Sequence, residues 1–473
     1  MDTPALHLAD LAQLFRVEAP DLARLIEQYL EQDDPNPLEV PPAATDAAAN
    51  DAAPPAVGDD DDDSDGDHDE EPTYRDAPEG YISFGDHLNA VRSAQRRRDR
   101  QKRRAGVAEA WQKYLAQDPS LLLPRLGLGD LFESLYDRGT ASSRALLVAI
   151  ADQAPLEYGL WRGLKRVYKR SEADLDAEVF GALAARFDRS ISNSGEVSDA
   201  TVAYLRRRAW RFLRQLGAAV PEVYPRFAVQ VLRHYPTATS FGSLWVGNHI
   251  LAHGAGHYTM RSFYGSLPAD LVKHRAYPDS WKQAADELMF LLETCGHNDV
   301  ARFAIDSLQK DFPERLRKVT PAWLARLASR PLESAHEFLV DTLQASPEFH
   351  QSKLRALGLH DAVLALLKSP GKKARAYAIE YARGQARDMP VAQLLDLLEH
   401  GSKEVIELAK ALVTARPPRE LGLPVLGQLL KFSATHDWAS KALTESFERK
   451  EVQLPFLVDL LFSPDGDQHR WSK

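Results

Sequence analysis

VAQLLDLLEHGSKEVIELAKALVTAR, residues 391–416, decides how this chain reads. It holds a leucine-rich helix end at Leu397, a short polar turn, and a second helix carrying Val405 and Ala409 on one face. The frame recurs outward in both directions. Leu292, Leu327, Leu366, Leu397 and Leu430 stand at steps of 35, 39, 31 and 33 residues. Twelve positions after them come Ala304, Leu339, Ala378, Ala409 and Ala442, and four before those come Val300, Ala335, Ala374, Val405 and Trp438. Helical hairpins repeated at this period cannot bury their apolar faces alone and stack on their neighbours. The expected fold is therefore all-α: a HEAT/ARM-like α-solenoid. The next leading leucine is Leu461, whose partner position would be 473. LLFSPDGDQHRWSK is too short to complete a hairpin, so either Trp471 folds back as a cap, or this end docks on a partner or belongs to a longer chain.

The totals bound the rest. Of 473 residues, 44% are apolar, enough to bury a large core. No apolar run reaches the length of a membrane span. MDTPALHLADLAQLF has neither a basic n-region nor a small-residue cleavage site, so no secretory signal is read. The single cysteine, Cys295, excludes an intramolecular disulfide and a cysteine-based zinc cluster, and it reads as a small apolar filler. A cytoplasmic, bacterial-type protein with no membrane contact is expected. The net charge of −10 is concentrated: ten acids fall within residues 59–71, and the remainder is neutral.

Five segments follow. Residues 1–34 form a small helical hairpin, with Leu8, Leu11 and Phe15 on one helix and Leu22, Leu25, Ile26 and Leu30 on the next. It is similar to small helix-turn-helix-like N-terminal modules, or serves as a docking hairpin. Residues 35–80, rich in Pro, Ala and Asp, read as a disordered acidic linker. Residues 81–118 read as a basic helix: Arg92, Arg96, Arg97, Arg98, Arg100, Lys102, Arg103 and Arg104 lie within thirteen positions, with Asp99 the only acid. Such a helix tracks phosphates, pairs with the acidic run or an acidic partner, or presents a solvated face. Residues 119–280 are a first helical-repeat part, broken at Pro119, Gly139, Pro155, Pro221 and Pro236, with a helix over 241–253 and a long loop over 254–280. Residues 281–473 carry the HEAT-like repeats. The loop is aromatic and basic, and Arg261, Lys273 and Arg275 are its candidate contacts to a partner or nucleic acid.

No motif assembles a catalytic site. There is no phosphate-binding glycine loop, no GxSxG elbow and no HExxH. His249, His253 and His257 stand at i, i+4, i+8, a row that could ligate a transition metal on a continuous helix. Gly254 and Gly256 weaken that turn, and the stronger reading is a His249 that packs or hydrogen-bonds inside the fold. YLRRRAWRFLRQLG, residues 204–217, places Tyr204, Ala209, Phe212, Leu213 and Leu216 inside and Arg206, Arg207, Arg208, Arg211 and Arg214 outside, where they pair with acids of neighbouring helices, the stronger reading, or contact nucleic acid.

That helix, the NHIL segment at 248–251, the step from Tyr277-Pro278 to Trp281, and VARFAIDSL at 300–308 together resemble the HEAT-like helical region of bacterial proteins that often carry a WGR domain. The resemblance covers about residues 120–345 and implies fold, not activity. A WGR module is absent from the sequence, and so is any catalytic or cofactor set to carry over. The expected function is a non-enzymatic scaffold or adaptor, without cofactor or metal, binding a protein partner through its helical-repeat surface. The alternative is a nucleic-acid-binding repeat protein using the basic helix 92–104 and loop 254–280.

Overall fold

The computed structural model describes Leu6, residues 8–31, 128–153, 158–190, 199–256, 258, 267–448, 451–452, 454–466 and 468. The acidic linker, the basic helix with Arg92 to Arg104, and Arg261, His257 and Trp471 lie outside the described residues. Two compact units divide the chain, Met1–Leu131 and Phe132–Lys473.

The first unit holds the N-terminal hairpin, α1 (Leu8–Arg16) and α2 (Leu22–Glu31), which pack on each other through Leu11, Leu22, Ile26 and Tyr29. Glu18 takes a positive φ of 52° in the turn.

Elements of the second unit are helical, and no strand occurs among the described residues. An isolated bridge pairs Pro236 with Gly296. Helix α3 (Leu128–Arg138), which begins in the first unit, is followed by α4 (Ala141–Gln153), α5 (Tyr158–Ala173), α6 (Ala177–Arg189), α7 (Asp199–Ala219) and α8 (Tyr224–Leu232). α6 is buried nearly all round, Asp188 included. Its Phe180 stacks on Tyr168 at 5.6 Å and meets Phe212 at 4.7 Å and Phe227 at 5.4 Å. A Cβ at Gly181 would lie 2.5 Å from the Gln230 backbone, so glycine there lets α6 and α8 approach closely.

A 3₁₀ turn (Phe241–Ser243) precedes α9 (Val246–Ala252), so the expected single helix over 241–253 is broken. Trp245, Val246 and Gly247 donate their backbone N–H groups to Asp188 instead of continuing a helix. After the long loop come two single turns, α10 (Leu271–His274) and α11 (Pro278–Trp281).

From there the hairpins are regular. They are α12 (Ala285–Thr294) with α13 (Asn298–Asp311), then, after the turn α14 (Pro313–Leu316), α15 (Pro321–Ala328) with α16 (Glu333–Ala345). α17 (His360–Ala365) pairs with α18 (Lys372–Gln385), α19 (Val391–His400) with α20 (Lys403–Thr414), and α21 (Pro418–Leu429) with α22 (His436–Glu445); α23 (Leu454–Leu461) follows. Starts are set by local chemistry. Thr320 accepts from the Trp323 N–H with Pro321 at the first helical position, and His297 accepts from the Asp299 N–H. Each helix packs on its hairpin partner, and second helices pack on second helices: α13 on α16, α16 on α18, α18 on α20. First helices do likewise, α12 on α15, α15 on α17, α19 on α21 and α21 on α23.

The register positions read from the sequence are buried, from Leu292 to Leu430 and from Ala304 to Ala442. Trp438 is the exception: it is half-buried, and Ala439 beside it takes the inward place. Cross-element polar bonds keep the same period. Arg170 reaches Asp137 at 2.7 Å, Arg326 reaches Glu293 at 2.7 Å, Arg355 reaches Asp388 at 2.8 Å and Arg419 reaches Glu451 at 3.1 Å, across 33, 33, 33 and 32 residues. Bonds that cross the loop over 254–276 span more: Tyr277 to Arg214 covers 63 residues and Thr237 to Gly296 covers 59. The excess is the inserted loop.

Candidate functional site

Two features stand apart from repeat packing: the anchorage of the insert, and clefts between successive first helices.

Hydrogen bonds tie the ends of the insert together, Gly254 N–H to His274 O at 2.8 Å and Ala276 N–H to Ile250 O at 3.0 Å. Residues 259–266 fall outside the described set. Its flanks are held on α7: the Trp210 indole donates to Tyr258 Oη at 3.0 Å, and the Tyr277 hydroxyl donates to Arg214 O at 2.8 Å. Tyr277 takes a left-handed φ of 49°, and its ring lies where a Cβ at Gly217 would meet it at 2.2 Å.

Under this anchorage sits His249, fully buried among Trp210, Tyr224, His253 and Tyr277, with ring centroids 4.9–6.4 Å away. Neither ring nitrogen has a hydrogen-bond partner. Burial first, then His253 and Arg214, push its pKa down to about 3, so the imidazole is neutral. The expectation that His249 packs inside the fold is met by ring packing rather than hydrogen bonds. His253 is exposed and lies edge-on to it, at an interplanar angle of 81°. Among the described residues no three His, Cys, Asp or Glu side chains come together as a metal site.

Arginines read as surface or contact groups are partly spent inside. Arg206, expected outside, is buried: it donates to Asp188 at 3.3 Å and to Ser243 O, and stacks 4.6 Å over Trp245. Arg208 pairs with Glu172 at 2.6 Å, as the helix reading expected of its arginines. Arg275 corrects the contact list. Its side chain is 2% exposed and bonded to Asp311 at 2.5 Å, Ser307 at 3.1 Å and Pro278 O at 3.2 Å. A charge buried this way must be paired, so it is not offered to a partner. Lys273 is exposed on α10. Cys295 caps α12, and burial pushes its thiol up to about 12, which leaves it unreactive.

Clefts of about 360 Å³ and 280 Å³ open on the first-helix side. The larger lies between α12 and α15 and is lined by Met289, Phe290, Lys318 and Trp323. The smaller lies between α17 and α19 and is lined by Asp361, Leu364, Lys368, Met389 and Asp396. Sequence reading missed both, because a groove between helices one repeat apart has no local signature.

No family model, no curated protein and no solved structure matches the chain. No helix among the described residues is long and apolar enough to cross a membrane.

Proposed function

We propose that this protein is a non-enzymatic scaffold: a HEAT-like α-solenoid whose first-helix surface binds a protein partner. The observation that carries the reading is the one-repeat span of its cross-element bonds, seen at Arg170–Asp137, Arg326–Glu293, Arg355–Asp388 and Arg419–Glu451. Bonds and packing that join only successive hairpins are the signature of a linear stack. A stack of this kind presents a long row of first helices, and clefts between those helices supply anchor points for a partner's side chains. Ion pairing inside the stack also removes Arg275 from the basic contacts that the nucleic-acid reading requires.

The test is crosslinking mass spectrometry on the full chain captured from its native lysate. Partner crosslinks should concentrate on the first helices, α12, α15, α17, α19 and α21. Crosslinks confined to other faces would remove the reading. Recovery of nucleic acid alone, with binding that falls steeply as salt rises, would replace it with the nucleic-acid alternative.

A further inference from the structure

The larger cleft has a composition that hairpin stacking does not call for. Met289 and Phe290 of α12 are apolar yet only half-buried at its floor. Trp323 of α15 completes the floor at 3% exposure, and its Nε1–H is buried with no acceptor. A buried indole N–H normally finds a partner, and leaving one unmatched costs about 1–3 kcal/mol.

Rim charges are unequal. Arg315 holds Asp286 at 2.7 Å, and Arg326 holds Glu293 at 2.7 and 3.1 Å. Lys318 remains, exposed, with no carboxylate within ion-pair distance among the described residues. The smaller cleft has the opposite balance: Asp361 and Asp396 line it with one cation, Lys368, which bonds Asp396 at 2.5 Å. Charge therefore selects the α12–α15 cleft for a negatively charged ligand. Its apolar floor selects against a bare phosphate backbone.

We infer that the α12–α15 cleft seats an acidic peptide segment of the partner protein. An apolar side chain of that segment lies on Met289, Phe290 and Trp323. A neighbouring aspartate or glutamate pairs with Lys318. The inference rests on the partner-binding reading and adds where and by what chemistry the partner is held.

Random peptides displayed on phage and selected on the immobilised full chain test it. Enriched peptides should carry an acid beside an apolar residue. By fluorescence anisotropy the best of them should bind Lys318→Glu about tenfold more weakly, the loss of one charge-assisted contact. Met289→Ala trims the half-buried apolar wall of the cleft and should weaken binding several-fold with an unchanged circular dichroism spectrum. Lys353→Glu makes the same charge change on an exposed residue outside the cleft and should leave affinity intact. Enrichment of basic peptides, no enrichment, or equal losses from Lys318→Glu and Lys353→Glu would overturn the inference. Acidic peptides that bind Lys318→Glu normally would overturn the cleft assignment while leaving the partner-binding reading to the crosslinking result.

Discussion

Tyr235 donates its hydroxyl to Asp188 at 2.7 Å across 47 residues, deep in the core of the second unit. Asp188 sits in the last turn of α6, where a helix dipole disfavours a carboxylate. Its compensation comes from elsewhere. One oxygen accepts Tyr235 and the N–H groups of Val246 and Gly247, each at 3.0 Å; the other accepts Trp245 N–H at 2.8 Å and Arg206 Nε at 3.3 Å. The C-terminus of one helix is thereby joined to the N-terminus of another, α9, whose first amides welcome an anion.

Asp188→Ala should consequently be among the most damaging substitutions in the chain. It strands Arg206 and three buried amides, a loss of about 3–5 kcal/mol by analogy with broken buried ion pairs. Asp188→Asn retains one carbonyl acceptor and should cost less. Urea denaturation followed by circular dichroism ranks the two. An Asp188→Ala protein as stable as wild type would show that the five donors find water instead.

His249 predicts a pH dependence. Its pKa falls from an unfolded value near 6.5 to about 3 when folded, first through burial and then through His253 and Arg214. Between those values the unfolded chain binds a proton that the folded chain refuses. The stability this group confers is thus complete above pH 6.5 and is lost as pH falls toward 3. At pH 5 the loss is about 2 kcal/mol at 1.36 kcal/mol per unit. His249→Phe, which keeps a ring against Trp210 and Tyr224, should unfold with a flatter dependence over this window. Parallel slopes for the two proteins in urea titrations from pH 4 to 7 would place the acid sensitivity elsewhere.

What the sequence made legible followed from periodicity. The leucines and small residues twelve positions later are buried because every hairpin repeats one packing problem, and a repeated solution leaves a repeated pattern. Single arginines were harder. Arg206 falls on the polar side of its own helix, and only the fold brings Asp188 against it. Arg275 sits in a loop beside Lys273, yet Asp311, 36 residues on, claims it. That spacing is itself a signal, since an arginine and an acid one repeat apart are bonded again and again here. The cleft between α12 and α15 left no trace in sequence because its walls come from helices separated by a whole hairpin.

Tyr277 and Gly217 form a coupled pair. The Tyr277 ring occupies the space a Cβ at Gly217 would need, at 2.2 Å, and the residue holds a left-handed φ to reach it. Gly217→Ala should cost about 1–3 kcal/mol by overpacking. Added to Tyr277→Ala, which removes the ring, it should cost almost nothing further. Tyr277→Gly should be milder than Tyr277→Ala by about 1 kcal/mol, because glycine carries no left-handed penalty. A double-mutant cycle in urea decides the matter, and additive losses would show that the ring and Gly217 do not meet.

Arg275 and Arg419 make the same kind of bond, to an acid about one repeat away, in opposite surroundings. The Arg275 and Asp311 side chains are 2% and 10% exposed; those of Arg419 and Glu451 are 61% and 34% exposed. Solvent screens the second pair and leaves its net worth at about 0–1 kcal/mol. The first has little water to fall back on, and removing one partner strands a buried charge at a cost of about 3–5 kcal/mol. Arg275→Ala should therefore lower the thermal midpoint by several degrees while Arg419→Ala barely moves it. The comparison also guards the reading of Arg275 as internal. Were it a partner contact, Arg275→Ala would weaken binding and leave the midpoint unchanged, whereas the buried geometry requires the midpoint to fall even in the isolated chain.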